Sequence, residues 1–187
     1  MCASVSMLMP LPLNGRGVGY TCGSLAEGMA DQEFRVTIVT SRSRWSLPSV
    51  EVIEVLPDWV RYMPYRWVKS RVNRGIEDAF LSSMNRPQSQ KTAAYLWPGA
   101  SAETLRELKR RGVTVFREQY NCHTATAKRI LDQAYERLGV APRHAITDET
   151  VDREKEILEA MDYIFCPNPL VGPSLLENGV PAIKFLE

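Results

Sequence analysis

Residues 2–40, CASVSMLMPLPLNGRGVGYTCGSLAEGMADQEFRVTIVT, decide the fold. The stretch opens apolar and β-capable over Cys2–Leu11, which reads as a buried strand. It runs into Asn14-Gly15-Arg16-Gly17-Val18-Gly19, a glycine-rich turn. Ser24–Ala30 has helical composition, and Phe34–Thr40 is a β-branched run of strand length. Strand, glycine loop, helix and strand make a βαβ unit, whose crossover is right-handed.

Outward from this unit the alternation continues. Val50–Leu56 is a strand and Arg66–Met84 a long helix; Thr92–Trp97 is a strand stopped by Pro98-Gly99. Ala102–Arg111 is a helix with a glycine stop at Gly112, Val113–Arg117 a strand, and Thr124–Leu138 a helix stopped by Gly139. Asp148–Met161 starts acidic, with Thr147 as N-cap before Asp148 and Glu149. Tyr163–Cys166 is a strand, Pro173–Asn178 a short helix stopped by Gly179, and Ala182–Leu186 a last strand. Strands alternating with helices throughout predict an α/β fold: a doubly wound, mostly parallel, Rossmann-like sheet. The sequence shows no internal repeat and no linker, so residues 1–187 are expected to be one domain.

Composition narrows the class. The 187 residues are 44% hydrophobic and 24% charged with a net charge of +1, which suits a folded chain and excludes a charge-driven disordered one. The longest apolar run, Val5–Leu13, is interrupted by Pro10 and Pro12 and is too short to span a bilayer. It also lacks the basic start and small-residue cleavage site of a secretory signal, so the expected compartment is the cytoplasm. Cys2, Cys22, Cys122 and Cys166 are scattered, without metal-ligand spacing or a disulfide framework, and read as buried thiols.

Two places carry chemistry. Glycines between a first strand and a first helix let backbone N–H groups approach an anion at a helix N-terminus. Gly15, Gly17 and Gly19 give GxGxG, and the GxGxxG dinucleotide pattern fails in each register. Where an acidic residue would close the second strand stands Ser41-Arg42-Ser43-Arg44, whose arginines suit a 2′-phosphate and keep an NADP-type site as an alternative. A plain tight turn is the other alternative. The second place is His123, which follows the strand Val113–Arg117 and the loop Glu118–Cys122 and opens the helix at Thr124. That puts an imidazole at the carboxyl edge of the sheet, where ligands collect in this fold; capping of the helix is the competing role. His144, in Pro142-Arg143-His144, is expected at the surface.

These motifs, in order, resemble the N-terminal domain of retaining GT-B glycosyltransferases of the GT4 type. The resemblance rests on Gly15-Arg16-Gly17-Val18 before Leu25-Ala26-Glu27, and on His123-Thr124-Ala125-Thr126-Ala127-Lys128. Near the end it rests on Glu156-Ile157-Leu158-Glu159-Ala160-Met161-Asp162-Tyr163-Ile164, then Pro167-Asn168, then Gly179-Val180-Pro181-Ala182-Ile183-Lys184-Phe185. Two positions depart from the family pattern: Arg16 replaces the first of the paired glycines, unless Gly15 takes its place, and Asn168 stands where serine is common. The resemblance implies the acceptor-side half of an enzyme that moves a sugar from a nucleotide-sugar, the co-substrate, with retention and without a metal or other cofactor. It implies that Gly15, Arg16, Gly17 and Asn168 face the donor and that His123 contacts the transferred sugar as the catalytic-site residue. The donor-binding C-terminal domain lies outside this sequence, which stops as a strand finishes, so inactivity of this chain alone is expected. The partners implied are that missing domain and an acceptor that is a glycan, a lipid-linked molecule or a small molecule.

Trp59–Gly75, WVRYMPYRWVKSRVNRG, carries five cations, no acid and four aromatics. Arg66, Lys69 and Arg71 suit an anionic acceptor or peripheral contact with a membrane surface. A solvated helix face with its aromatics turned inward explains the same pattern. Nucleic acid is not expected as a partner, because the net charge is near zero and no motif supports it. A transferase-like fold kept as a non-enzymatic interaction domain is the remaining alternative.

Overall fold

The computed structural model describes residues 3–30, 34–56, 65–85 and 92–186, with the side chains of 65–71 outside that description. Seven parallel strands alternate with six helices among them, so the α/β, Rossmann-like fold expected from the sequence is borne out. The chain divides into two compact units, residues 1–115 and 116–187.

The first unit contains β1 (Ala3–Met9), α1 (Gly17–Met29), β2 (Phe34–Thr40), β3 (Glu51–Glu54), α2 (Tyr65–Ser83), β4 (Thr92–Leu96) and α3 (Ala102–Arg110). Its strand order is β3-β2-β1-β4. β1 pairs in parallel with β2 (Met7 beside Ile38) and with β4 (Met7 beside Tyr95). The winding direction therefore reverses between β1 and β4, the point where open parallel sheets bind ligands at their carboxyl ends. β1 reads as a continuous apolar run because Met7, Leu8 and Met9 are all fully buried, as a strand covered on both faces requires. Ile38, Phe80, Ile76, Leu96 and Leu108 complete this core. Glu77 of α2 accepts from the backbone N–H (2.6 Å) and the hydroxyl (2.7 Å) of Ser101, the residue that caps α3.

The second unit contains most of β5 (Thr114–Glu118), then α4 (Thr124–Arg137), α5 (Asp148–Ala160), β6 (Tyr163–Phe165), α6 (Val171–Glu177) and β7 (Phe185–Leu186). Its strands run β5-β6-β7, all parallel. Thr147 caps α5 in a reciprocal capping box with Thr150. Leu158, Met161, Ile164 and Leu175 form the core, while α4 buries only Thr126 along its length.

Three local readings are corrected. α1 begins at Gly17, so the glycine turn is shorter than its glycines suggest. Ala182–Lys184 is a turn of 3-10 helix, and only Phe185 and Leu186 pair with β6. Cys122 is half-buried, whereas Cys22 and Cys166 are buried as expected; Cys2 lies outside the described residues.

Candidate functional site

In the first unit, β1 ends at the switch point and the chain turns through Asn14–Arg16 into α1. The Asn14 side-chain oxygen accepts from the Arg16 N–H at 3.1 Å, a local turn that brings the chain to the helix start. Gly15 (φ 69°) and Gly17 (φ 51°) hold left-handed backbone, which a Cβ disfavours, and nothing lies within 4 Å of where their Cβ atoms would be. Gly19 and Gly23 serve another purpose. A Cβ on Gly19 would sit 2.8 Å from the Pro12 carbonyl oxygen, and one on Gly23 would sit 2.4 Å from the Trp45 ring. These two glycines let α1 lie tight against its neighbours, while Gly15 and Gly17 shape the open turn. Arg16 is the N-cap residue of α1, is exposed, and contributes no side-chain cap.

Leu13 lies alongside the segment after β2. Its N–H donates to the Arg42 carbonyl (2.8 Å), and the Arg44 N–H donates to the Leu13 carbonyl (2.7 Å). Arg42 and Arg44 therefore flank the strand-like residue that leads into the glycine turn.

In the second unit, β5 delivers its carboxyl end, Arg117-Glu118, and the following Gln119 to the start of α4. His123 is 1% exposed and is the N-cap of α4. Its Nδ1 accepts from the Ala125 N–H at 3.1 Å, and its own backbone N–H donates to Ser174 Oγ at 3.0 Å. An Nδ1 that accepts is unprotonated, so the neutral ring carries its proton on Nε2. That Nε2 is buried and has no hydrogen-bond partner among the described residues. Burial is the main reason the His123 imidazole is held below its ordinary pKa; Arg117 and Lys155 act the same way, and Glu154 opposes them. Capping, the competing role for His123, thus uses one ring nitrogen and leaves the other as a donor.

Glu154, from α5, ties this corner together. Its Oε2 accepts from the Thr124 N–H at 2.5 Å, and its Oε1 accepts from Gln119 Nε2 at 3.3 Å. Arg117 Nη2 lies 3.8 Å from Oε1, and His123 Nδ1 lies 3.8 Å from Oε2. Arg117 Nε donates to Gln119 Oε1 at 2.7 Å. The sequence marks Arg117 as the end of a strand and Glu154 as part of a helix with an acidic start. The run of three polar residues closing an apolar strand, four to six positions before His123, is the signal that points to the cluster.

Asn168 sits in the exposed turn after β6. Its side-chain oxygen accepts from the Leu170 N–H at 2.9 Å, which orients the amide and leaves its N–H groups for a ligand. The turn borders a cleft of about 610 Å³ lined by Cys166, Pro167, Pro169, Pro173, Leu176 and Phe185. His144 is half-buried rather than at the surface, because Nε2 meets Asp132 Oδ1 at 2.7 Å and Nδ1 accepts from the Ile146 N–H. Arg66, Lys69 and Arg71 lie on α2, but their side chains, and all of residues 59–64, fall outside the described residues. Among the described residues, no three His, Cys, Asp or Glu gather as a metal site, and no helix is long and apolar enough to cross a membrane.

No known family profile and no curated protein matches this sequence. Solved structures do match its fold. A protein assigned as a UDP-N-acetylglucosamine 2-epimerase from Listeria monocytogenes superposes with TM-score 0.56 at 11% identity, over 99% of this chain and 44% of its own. A UGT transferase from Siraitia grosvenorii, solved in complex with UDP, gives 0.54 at 12% identity, over 97% of this chain and 49% of its own. A further UDP-N-acetylglucosamine 2-epimerase gives 0.50 at 10% identity, over 99% and 47%. The chain thus spans less than half the length of each of these structures. At such identities the likeness establishes a shared fold, the Rossmann-like domain of GT-B-type UDP-sugar epimerases and glycosyltransferases.

Proposed function

We propose that this chain is the acceptor-side, N-terminal part of a retaining glycosyltransferase of the GT4 type, completed by a donor-binding domain outside this sequence. The observation that carries the reading is His123. Its Nε2–H is buried, without a partner among the described residues, and fixed in one tautomer at the carboxyl edge of the sheet. Such a donor suits the hydroxyl oxygen of a sugar, because a buried N–H without an acceptor is costly and a bound oxygen relieves that cost. The turn through Gly15 and Gly17 places the N-terminus of α1 where an anion is favoured, which suits the diphosphate of a nucleotide-sugar. The amide N–H groups left over on Asn168 add donors for the same class of ligand. Most stabilisation of the leaving diphosphate is assigned to the second domain, so this chain alone binds donor weakly and does not turn over. The cations of α2 serve an anionic or lipid-linked acceptor.

The test is titration of the chain with UDP-sugars, GDP-sugars and NADPH, by calorimetry and by amide NMR shifts. The expected result is weak nucleotide-sugar binding that perturbs residues 15–19 or residues 123–126. Tight stoichiometric NADPH binding would overturn the reading in favour of a dinucleotide site using Arg42 and Arg44. Nucleotide-sugars that perturb neither segment would also overturn it.

A further inference from the structure

The cleft that follows β6 is bounded by residues of the second unit alone. Its volume of about 610 Å³ falls within the roughly 300–1,000 Å³ range of small-molecule sites. Pro167, Pro169, Pro173, Leu176, Ala182 and Phe185 supply most of its wall, which is apolar. Hydrogen-bonding groups are scarce there. The three prolines carry no N–H. The Cys166 N–H donates to the Leu186 carbonyl at 3.0 Å, and the Phe185 N–H donates to the Ala182 carbonyl. The Asn168 carbonyl accepts from the Val171 N–H at 2.9 Å. Among the described lining residues, the Asn168 amide is the sole strong side-chain hydrogen-bonding group, and it is exposed. A sugar ring placed here would give up water at each hydroxyl and find few partners, which is costly. An apolar ring gives up nothing of that kind and gains by leaving water. The Phe185 ring is half-buried and lies over Gly172, where a Cβ would sit 3.8 Å from its Cδ2, so a flat ligand can stack on it. Leu176 is 50% exposed, and Leu170 and Ile183, chain neighbours of the lining residues Pro169 and Ala182, are 75% and 88% exposed. Large apolar side chains left open beside a cleft mark a binding surface.

We infer that this cleft binds the apolar ring system of a small molecule and not a glycan. Where the transferase reading holds, the ring is part of the acceptor, which narrows the acceptor to a molecule built on an apolar ring, whether or not it also carries an anionic group. That identification rests on the transferase reading, whereas the cleft does not.

The probe is 2-naphthol, with methyl glucoside and 1-decanol as comparisons, and binding is read from methyl and aromatic NMR shifts of the whole chain. The expected result is a saturable shift of the Leu176, Ala182 and Phe185 signals with 2-naphthol and little response to methyl glucoside. Leu176→Asp weakens 2-naphthol binding about ten-fold, the equivalent of losing roughly half the burial of a leucine side chain. Ala182→Trp fills the cleft and abolishes the shift. Both positions are exposed, so neither substitution disturbs the core, and an unchanged amide spectrum away from the cleft verifies that. Shifts that rise without saturation, or that fall equally on exposed Leu138 and Val140, would overturn the site as surface adhesion. Tighter binding of methyl glucoside or 1-decanol would overturn the ring as occupant. Movement of the same signals on dilution of the chain alone would overturn it in favour of a second copy. Binding of 2-naphthol here without any response to UDP-sugars or GDP-sugars leaves the cleft standing and removes the transferase reading; the reverse pattern removes the cleft alone.

Discussion

Replacing Glu154 by glutamine should unlock the corner that holds His123. The carboxylate accepts the Thr124 N–H at 2.5 Å and Gln119 Nε2 at 3.3 Å, and it is the carboxylate paired with buried Arg117, at 3.8 Å. A hydrogen bond to a charged acceptor contributes about 1.5–3 kcal/mol, and the neutral amide oxygen keeps roughly half of one such bond. The new NH2 must face either the Thr124 N–H or the Gln119 amide, donor against donor. Removing one partner of a buried ion pair costs about 3–5 kcal/mol at full burial. The 3.8 Å separation and the 12% exposure of Glu154 put this pair below that range. The sum is a loss of about 3 kcal/mol, or about 6–12 °C in Tm for a chain of this length. Urea denaturation of the parent, Glu154→Gln, Arg117→Met and the double variant measures it. The double variant should be more stable than additivity predicts by about 1–2 kcal/mol, since deleting Arg117 removes the charge that Glu154→Gln strands. A single variant within 0.5 kcal/mol of the parent, or strict additivity in the cycle, would refute the idea that Glu154 holds this corner by charge.

Two further outcomes follow from the same geometry. His123 is held below its ordinary pKa of about 6.5, so between pH 6.5 and its lowered folded value the unfolded chain binds the extra proton. Stability should therefore fall as pH is lowered through 6.5, and the fall should level off below the folded value; His123→Gln should show a smaller difference between pH 7.5 and 5.5 in urea titrations, and an equal or larger one would exclude His123 as the source. Gly23→Ala would drive a Cβ to 2.4 Å from the Trp45 ring, an overpacking that costs about 1–3 kcal/mol in denaturation, whereas an unchanged midpoint would mean the ring moves freely.

The fold was legible because local and global preferences agree. Phe34–Thr40 is rich in β-branched residues and buries Val36, Ile38 and Val39, and Thr147 carries the cap its position demands. Misreadings arose where tertiary contact overrode propensity. Gly17 and Gly19 look like loop residues, yet both lie in α1: Gly19 is there because its missing side chain lets the Pro12 carbonyl approach. His144 looked like a surface histidine in a polar loop, but Asp132, twelve residues back, holds it against α4. The cluster of Arg117, Gln119, His123 and Glu154 was half legible. His123 announced itself by position, while Glu154 stands among the acids of α5 and nothing local marks it as the one turned inward. Partners 30 and 35 residues apart, Thr124 and Gln119 with Glu154, are specified by the packing of α4 and α5 and not by any motif.

The division of work at His123 bears on the transferase reading. A helix N-terminus needs acceptors for its first N–H groups. α4 obtains two from side chains, His123 Nδ1 for Ala125 and Glu154 Oε2 for Thr124. Serine or aspartate at position 123 would cap equally well and would leave no buried donor behind. Histidine instead caps with one nitrogen and thereby forces the proton onto the other, where nothing in the described chain receives it. Capping explains why an acceptor stands at position 123, but it does not explain why that acceptor is an imidazole with a buried donor. A ligand oxygen would explain it, which is why the tautomer of His123, read by NMR before and after adding nucleotide-sugar, connects the structural role to the functional one.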